Sequence, residues 1–381
     1  MRRLLNITLV LLLILNFGCT QRSSLVLNEV TDIIENVKEE YAPDKRTSVY
    51  DVTARVKNKA VRLNGTILSQ SVLDTLVGRI KKTGAIEVMN DVLVLPDTSL
   101  GEENYALVRL STAQIRRHPE IQSEMISQAL MGSEIRLLRK GPGKRSWWRQ
   151  CQMEDEYLGW IMRSSFVAGD EEFINEWRSR AKVVVIENYS RVFEKMNDHC
   201  CQVSDLVRGD KMIYLSSSSG WTHVELPDGR KGYVKSSHVM HEDTYKSRSK
   251  PSRVDIVKTA EAFNGIPYLW GGTSIKGFDC SGFTQSVYRF NGILLPRDAN
   301  MQVNEGTEIS LNNNYSDLKP GDLMFWGPRE DRITHVGIYI GDYRFIHSDG
   351  FVHINSLNPE DDDYSEYRER TLRTARRILN N

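Results

Sequence analysis

The stretch Phe278-Asp279-Cys280-Ser281-Gly282-Phe283 combines a thiol with the start of a predicted helix, and it decides how the C-terminal part of the chain is interpreted. Phe283 and Val287 are four residues apart and Asn291-Gly292 is a stop signal, so the helix begins near Cys280. The first turn of a helix offers unpaired backbone N–H groups and the positive end of the helix dipole, which favour a thiolate. The pattern indicates a candidate nucleophile, although a lone cysteine at a helix start is more often a small buried residue.

Two histidines lie on predicted strands downstream of this helix, on either side of a turn at Gly341. A three-residue loop centred on Gly341 would place His335 directly opposite His347 on one face of an antiparallel hairpin. A two-residue loop would shift the register by one residue and separate them. In the first register one imidazole can deprotonate Cys280 while the other orients it, so the hairpin predicts a catalytic base. A satisfied pair of core histidines is the alternative.

The composition limits the classes of protein that this chain can belong to. A chain of 381 residues suggests two to four domains, at roughly 100–200 residues per domain. Apolar residues make up 40% of the chain, and 50 Lys and Arg balance 50 Asp and Glu, as in an ordinary globular protein. The chain has no surplus of basic charge to neutralise phosphates, so we expect no nucleic-acid partner.

The N-terminus has the pattern of an export signal. Arg2-Arg3 precede the apolar run Leu9–Leu15, which is well short of the roughly 20 residues that span a bilayer. Gly18-Cys19 follows, and a cysteine after a small residue resembles a lipoprotein box, although Asn16-Phe17 departs from it. We therefore expect a signal peptide over residues 1–18, lipidation of Cys19, and an exported protein anchored in a membrane on its periplasmic or cell-surface side. Plain secretion, an uncleaved anchor and a cytoplasmic protein are the alternatives.

After the leader, the chain divides into four units. The first is expected to be a helical stalk followed by a small α+β module, and the next two look like copies of one β-rich unit. These units cover residues 19–104, 105–168, 182–240 and 253–381.

The repeated units share short strands, a glycine turn, a tryptophan and a closing Gly-aromatic-aliphatic pattern. The closing pattern is Gly159-Trp160-Ile161 in the first copy and Gly232-Tyr233-Val234 in the second. Both copies resemble the bacterial SH3-like (SH3b) barrel. Trp148, Trp160 and Trp221 fit the core of such a barrel as well as a ligand surface.

Four cysteines lie downstream of Cys19, one of which is Cys280. A vicinal bridge between Cys200 and Cys201 would be strained, so the pattern favours free, buried thiols, as it does for Cys151. None of the cysteines has the spacing of a zinc site.

Four motifs in the last unit resemble the NlpC/P60 family of papain-like cell-wall peptidases. They are Asp279–Phe283, Gly321-Asp322-Leu323, His335–Gly341 and the later His347. The resemblance implies an α+β chain in which a papain-like NlpC/P60 catalytic domain follows two SH3-like barrels and a small N-terminal α+β module. It also implies that Cys280 is the nucleophile, His335 the base and His347 the polar third member. No metal or organic cofactor is then required, since the thiol supplies the nucleophile.

The order of the domains is similar to that of the YkfC-type γ-D-glutamyl-L-diamino acid endopeptidases within this family. That resemblance implies a murein peptide substrate, L-Ala-γ-D-Glu-diamino acid, with a free N-terminal ammonium. By position, Glu124, Tyr157 and Asp298 match the residues that hold this ammonium, while Ala299 stands where a hydroxyl residue is common.

Further predictions concern the substrate cleft and the assembly state. Asp279, Ser281 and Trp270 are also expected to bind substrate. The protein is expected to be a monomer. Two other functions remain open: a non-catalytic SH3b protein that binds the cell wall, and an amidase or acyltransferase on the same fold.

Overall fold

The computed structural model of the chain describes residues 25–57, 60–83, 87–247, 251–311 and 314–379. The signal peptide and Cys19 predicted above lie outside these residues. The chain forms two compact units, Met1–Gly101 and Glu102–Asn381. Across the described ranges, no helix is both long and apolar enough to cross a membrane.

The first unit is a three-stranded sheet with two helices. Its elements are α1 (25–41), β1 (Tyr50–Lys57), β2 (Ala60–Ile67), α2 (Gln70–Ile80) and β3 (Glu87–Val94). Strand β2 is antiparallel to β1 and parallel to β3. Val30, Ile34 and Val37 of α1 are buried in one cluster with Leu73 and Leu76 of α2. The first helix therefore belongs to this core, and the expected stalk is wrong.

The second unit opens with two seven-stranded sheets joined by one helix. The first sheet contains β4 (Tyr105–Val108), β5 (Thr112–Arg116), β6 (Met125–Leu130), β7 (Glu134–Lys140), β8 (Trp148–Gln152), β9 (Leu158–Met162) and β10 (Phe166–Gly169). After α3 (Glu171–Ser179), the second sheet contains β11 (Lys182–Val185), β12 (Tyr189–Phe193), β13 (Gln202–Val207), β14 (Lys211–Ser218), β15 (Trp221–Glu225), β16 (Lys231–Lys235) and β17 (Val239–His241). Helix α4 (Glu242–Lys246) follows.

The strand order confirms that these sheets are two copies of one SH3-like fold. It is β10-β4-β7-β8-β9-β5-β6 in the first sheet and β17-β11-β14-β15-β16-β12-β13 in the second. Each strand of the second sheet therefore has the same neighbours as its counterpart in the first. Each order has two ends, so neither sheet closes into a complete ring of strand pairs. Trp148 and Trp160 are buried core residues, whereas Trp221 is half-buried.

The three cysteines of these sheets are free thiols, as expected. Their expected burial is correct only for Cys151, because Cys200 is half-buried and Cys201 is exposed. The loop that carries the vicinal pair lies between β12 and β13, at the surface of the second sheet.

The C-terminal part of the second unit combines a six-stranded antiparallel sheet and the two-stranded pair β18-β19 with several helices. The helices are α5 (Arg253–Glu261), α6 (Cys280–Arg289), α7 (Ala299–Gln302) and α8 (Glu366–Thr371). The strands are β18 (Thr273–Ser274), β19 (Gly277–Phe278), β20 (Thr307–Ile309), β21 (Leu323–Trp326), β22 (His335–Gly341), β23 (Arg344–Asp349), β24 (Phe351–Ser356) and β25 (Leu372–Arg377). Strands β20-β25-β21-β22-β23-β24 form the sheet in that order.

Helix α6 packs on this sheet through an apolar face. Phe283 and Val287 are fully buried in one cluster with Val336, Ile338 and Ile346 of β22 and β23. This packing brings the N-terminal end of α6 to the beginning of β22, so the helix that starts at Cys280 meets the strand that starts at His335.

The first SH3-like sheet docks on the C-terminal part through polar contacts. Gln128 of β6 is buried, and its Oε1 accepts hydrogen bonds from the Thr273 backbone N–H and the Ser274 hydroxyl, both at 2.9 Å. The Gln128 carbonyl oxygen also accepts from the Thr273 hydroxyl at 3.2 Å. Because buried polar groups are costly when unpaired, these bonds hold the sheet in one position.

Candidate active site

Asp279 caps the helix that begins at Cys280. Its Oδ1 accepts a hydrogen bond from the Gly282 backbone N–H at 2.6 Å, and its Oδ2 accepts from the Gly271 N–H at 2.9 Å. A Cβ added to Gly282 would lie 2.0 Å from the Gly272 carbonyl oxygen, so only glycine allows this close contact of backbones. The predicted helix start at Cys280 is thereby confirmed.

A buried arginine ties this cap to the first SH3-like sheet. Arg297 is 1% exposed and pairs with Asp279 through two bonds, Nη1 to Oδ1 at 3.1 Å and Nη2 to Oδ2 at 2.5 Å. Nη1 also donates to the Ser281 hydroxyl at 3.0 Å, and Nε donates to the Ser127 hydroxyl of β6 at 3.2 Å. The polar atoms of Asp279 and Ser281, both expected to bind substrate, are thus engaged in holding the start of α6. Their contact with substrate stays a prediction.

The Cys280 thiol favours its protonated form. Burial raises the pKa of Cys280 to about 12 and the negative charge of Asp279 adds to the rise, while hydrogen bonds from the backbone N–H groups of Val336 and Ser281 oppose it. The backbone N–H groups favour the thiolate, as expected of a helix start, but the effect of burial is larger. The hydrogen bond from Val336 also places the residue after His335 against the thiol.

The histidine hairpin differs from its predicted register. Asp342 and Tyr343 form a two-residue turn with positive φ angles of 48° and 62°, and Gly341 pairs with Arg344. A bulge between Tyr339 and Gly341 then shifts the pairing of the two strands by one residue, so that Gly337 lies opposite His347. The predicted direct opposition of His335 and His347 is wrong.

The bulge nevertheless puts both histidines on one face, as neighbours along a diagonal. His335 Nε2 lies 2.8 Å from His347 Nδ1. A Cβ on Gly337 would lie 2.9 Å from the Cβ of His347, so the glycine leaves the space in which the two rings meet. The pair exists because a bulge and a glycine compensate for the short turn.

A hydrogen-bond chain continues from this pair into the next strand. His347 Nε2 lies 3.0 Å from Asn355 Oδ1 of β24, and Asn355 Nδ2 donates to the Asp363 carbonyl oxygen at 3.1 Å. Since the Asn355 amide nitrogen donates to Asp363, its Oδ1 faces His347 and accepts a hydrogen bond from the His347 Nε2–H. His347 Nδ1 then accepts from His335 Nε2–H, which assigns Nδ1 of His335 as its basic nitrogen.

Both histidines favour the neutral form that this assignment requires. Burial lowers the pKa of His335 well below its usual value, and the neighbouring His347 lowers it further. Burial also lowers the pKa of His347, while the hydrogen bond to Asn355 opposes this. A neutral imidazole has a ring nitrogen that can accept a proton.

Sequence reasoning did not assign roles to Tyr268 or Asn355. The Tyr268 phenol interacts electrostatically with Cys280 and Asp279, and burial raises the pKa of Tyr268, so its hydroxyl is a donor close to the thiol. His353 of β24 pairs with His347, and Asn355 lies two residues later on the same face of that strand. A prediction of strand β24 would therefore have indicated Asn355 as a neighbour of His347. The position of Tyr268 depends on tertiary packing and has no comparable local signal.

The expected ammonium-binding residues are brought together between the first SH3-like sheet and the C-terminal part. The Tyr157 hydroxyl donates to Asp298 Oδ2 at 3.0 Å, and Trp270 Nε1 donates to Glu124 Oε1 at 2.7 Å. Trp270 is 60% exposed, so its ring forms part of an open surface. The sequence did not single out Arg117, whose Nε donates to Glu124 Oε2 at 2.5 Å and lowers the pKa of Glu124.

Within the described ranges, no group of three His, Cys, Asp or Glu side chains could hold a metal ion. The chemistry supported by this geometry is that of a thiol and an imidazole.

Sequence comparisons assign two segments of the chain. Residues 265–374 match the NlpC/P60 family, and residues 115–166 match the bacterial dipeptidyl-peptidase SH3 domain. The chain is 26% identical to dipeptidyl-peptidase 6 of Lysinibacillus sphaericus over 277 residues, which cover 69% of this chain and 94% of that protein. It is 40% identical to a γ-D-glutamyl-L-lysine dipeptidyl-peptidase of Bacillus subtilis over 149 residues, which cover 37% of this chain and 48% of that protein.

A solved structure shares the same fold. The crystal structure of an NlpC/P60 family protein from Bacillus cereus is 23% identical to this chain with a TM-score of 0.62, and the match covers 72% of this chain and 99% of that one. Residues 265–374 are therefore an NlpC/P60 peptidase domain, and the bacterial dipeptidyl-peptidase SH3 domain at residues 115–166 precedes it in the chain.

Proposed function

We propose that this chain is a cysteine endopeptidase that hydrolyses the bond between γ-D-Glu and a diamino acid in cell-wall peptides with a free N-terminal L-Ala. The observation that carries the proposal is the contact between the start of α6 and the start of β22. It sets the Cys280 thiol against the backbone of Val336, the residue after His335, and the His335 ring belongs to the hydrogen-bonded chain with His347 and Asn355.

The acylation step follows from the protonation states. As the Cys280 sulfur attacks the γ-carbonyl carbon, its proton passes to Nδ1 of neutral His335, and a carbon–sulfur bond forms. The resulting imidazolium is held by His347, whose Nδ1 accepts from Nε2–H. His335 then gives its proton to the leaving amine as the carbon–nitrogen bond breaks, which leaves a thioester and a free diamino acid.

Hydrolysis returns the enzyme to its resting state. His335 takes a proton from water, the hydroxide attacks the thioester, and the released thiolate is protonated by the same imidazole. The negative oxygen of each tetrahedral intermediate needs fixed donors. The Cys280 backbone N–H at the helix start and the hydroxyl of the half-buried Tyr268 are the two donors that we propose.

The substrate part of the proposal depends on the side chains around Glu124. Glu124, Tyr157 and Asp298 supply two carboxylates and one phenol, which suit a desolvated ammonium group. The Bacillus subtilis relative and a 28% identical Bacillus cereus relative, which carry the name γ-D-glutamyl-L-lysine dipeptidyl-peptidase, support the choice of bond. Murein peptides whose L-Ala nitrogen is acylated would leave the carboxylates without a counter-charge.

The test is a digestion followed by mass spectrometry. The purified protein should convert L-Ala-γ-D-Glu-diaminopimelate or its L-Lys analogue into L-Ala-γ-D-Glu and the free diamino acid, and should cleave the N-acetylated peptides far more slowly. Absence of any product would favour the wall-binding alternative. Equal cleavage of the free and acetylated forms would favour an amidase or acyltransferase and overturn the proposed specificity.

We also propose that the protein is a monomer, exported and anchored through a lipid on Cys19. Arg2-Arg3, the apolar run Leu9–Leu15 and Gly18 support this proposal. Replacing Cys19 by Ser should move the protein from the membrane fraction to the soluble fraction, and unchanged fractionation would contradict the anchor. Light scattering of the purified protein measures its assembly state.

A further inference from the structure

Arg117 and Glu124 face each other at the base of the loop that joins β5 to β6. The Arg117 backbone N–H donates to the Glu124 carbonyl oxygen at 2.9 Å, and the side-chain Nε donates to Oε2 of the same residue at 2.5 Å. The hairpin itself therefore holds the two residues together. The Arg117 side chain is 47% exposed and that of Glu124 is 35% exposed, so a ligand can reach both.

Arg117 also acts on the rest of the candidate ammonium pocket. Its guanidinium interacts electrostatically with Tyr157 and Asp298, whose side chains are hydrogen-bonded to each other at 3.0 Å. The other oxygen of Glu124 accepts from Trp270 Nε1 at 2.7 Å. Arg117 therefore acts on both carboxylates of the pocket, Glu124 and Asp298. With Arg117 included, these side chains carry one net negative charge instead of two.

We propose that Arg117 is a specificity-determining residue that competes with the substrate's N-terminal ammonium for Glu124 and so limits the preference for free amino termini. This inference rests on the proposed function, because it takes the same pocket to receive the ammonium. An incoming ammonium must share Glu124 Oε2 with Arg117 or displace it. A peptide with an acylated nitrogen meets a pocket whose carboxylates are already partly neutralised, so it is penalised less than it would be without Arg117.

The size of the effect follows from the exposure of the pair. Exposed ion pairs contribute little, so removing this cation should change the affinity for an ammonium by about two- to fivefold. The change should shrink at high ionic strength, because salt screens exposed charges. Replacement by Lys, which keeps the positive charge, should preserve most of the wild-type behaviour.

The experiment measures binding without turnover. Isothermal titration with Cys280→Ala protein gives Kd values for L-Ala-γ-D-Glu-L-Lys and its N-acetylated form, with and without Arg117→Gln. The ratio of the acetylated to the free Kd should rise about two- to fivefold in Arg117→Gln, mainly because the free peptide binds more tightly. Arg117→Lys should restore the original ratio.

The matched control is Arg145→Gln. Arg145 is 51% exposed and pairs with Glu120 of the same β5–β6 loop. The substitution therefore removes an equivalent surface ion pair that does not involve Glu124. Its ratio should equal that of the parent protein. An unchanged or lower ratio in Arg117→Gln would overturn the inference, as would failure of the free peptide to bind any variant. Cleavage by the wild-type protein tests the proposed function separately from these outcomes.

Discussion

The two SH3-like sheets share one strand order, yet they differ in what their loops offer. The loop between the second and third strands is closed by the same backbone hydrogen bond in both, from Arg117 N–H to the Glu124 oxygen at 2.9 Å and from Glu194 N–H to the Cys201 oxygen at 3.0 Å. The first loop thus presents a salt-bridged carboxylate where the second presents an exposed thiol. A repeated fold carries a function in only one copy when the loop side chains differ.

The sheets also differ in how they contact the peptidase domain. The first is joined by two buried hydrogen bonds, which the Thr273 backbone N–H donates to Gln128 Oε1 and Arg297 Nε donates to the Ser127 hydroxyl. The second contacts it through the Lys276–Asp205 salt bridge at 2.7 Å, whose side chains are 38% and 33% exposed, and through Val207, which is buried in one apolar cluster with Phe263. The buried polar bonds to the peptidase domain named here therefore come from the first sheet, and the second sheet is held by apolar packing and a half-exposed ion pair.

The largest expected effect locates the chemistry outside both sheets. Cys280→Ala should lower cleavage of the tripeptide by at least about a thousandfold, since the nucleophile is lost. Cys151→Ala in the first sheet and Cys201→Ser in the second should keep most activity. The rate of product formation and the thermal unfolding of each variant provide the measurement. Substantial turnover by folded Cys280→Ala would refute the assignment.

A smaller effect distinguishes the equivalent loops. Glu124→Gln should lower kcat/KM for the free-amino tripeptide by roughly tenfold, mainly through KM, because a charge-assisted hydrogen bond to the ammonium is lost. Cys201→Ser changes the equivalent position of the second sheet and should leave kcat/KM unchanged. Similar losses in the two variants would mean that the sheets do not differ in the way described.

Asn355→Ala should show the opposite kinetic pattern to Glu124→Gln. Without the acceptor for Nε2–H, His347 is no longer held in the tautomer that accepts from His335, so kcat should fall by about tenfold while KM stays constant. Asn355→Asp keeps an acceptor and adds a charge that raises the pKa of His347, so it should retain more activity and move the acidic limb of the pH profile upward. Identical kinetics in both variants would rule out a positioning role.

The smallest effect is expected on mild acidification. A histidine with an unperturbed pKa of about 6.5 would lose roughly two thirds of its neutral form between pH 7 and 6. Burial lowers the pKa of His335 well below that value, and Arg117 lowers the pKa of Glu124, so neither chemistry nor binding should titrate in this range. We expect kcat/KM to change less than twofold, and a threefold fall would contradict the neutral base.

Much of the peptidase domain was predictable from nearby residues. The predicted helix start at Cys280 is present, because it depends on groups within three positions along the chain. The repeat was also predictable, since its turn glycines and core aromatics recur at similar spacing. The histidine register was not, because a bulge near Gly341 changed the pairing that the turn alone implied.

By itself, the sequence determined the two SH3-like repeats and the candidate catalytic residues, which are the thiol at a helix start and the two histidines on strands. Tertiary structure alone decided what surrounds them. The bond from Trp270 to Glu124 joins residues 146 positions apart, and that from Tyr157 to Asp298 joins residues 141 apart. Such contacts depend on how sheets dock and not on local propensity, so no pattern within a few residues could reveal that Trp270 shares the carboxylate of Glu124 with Arg117.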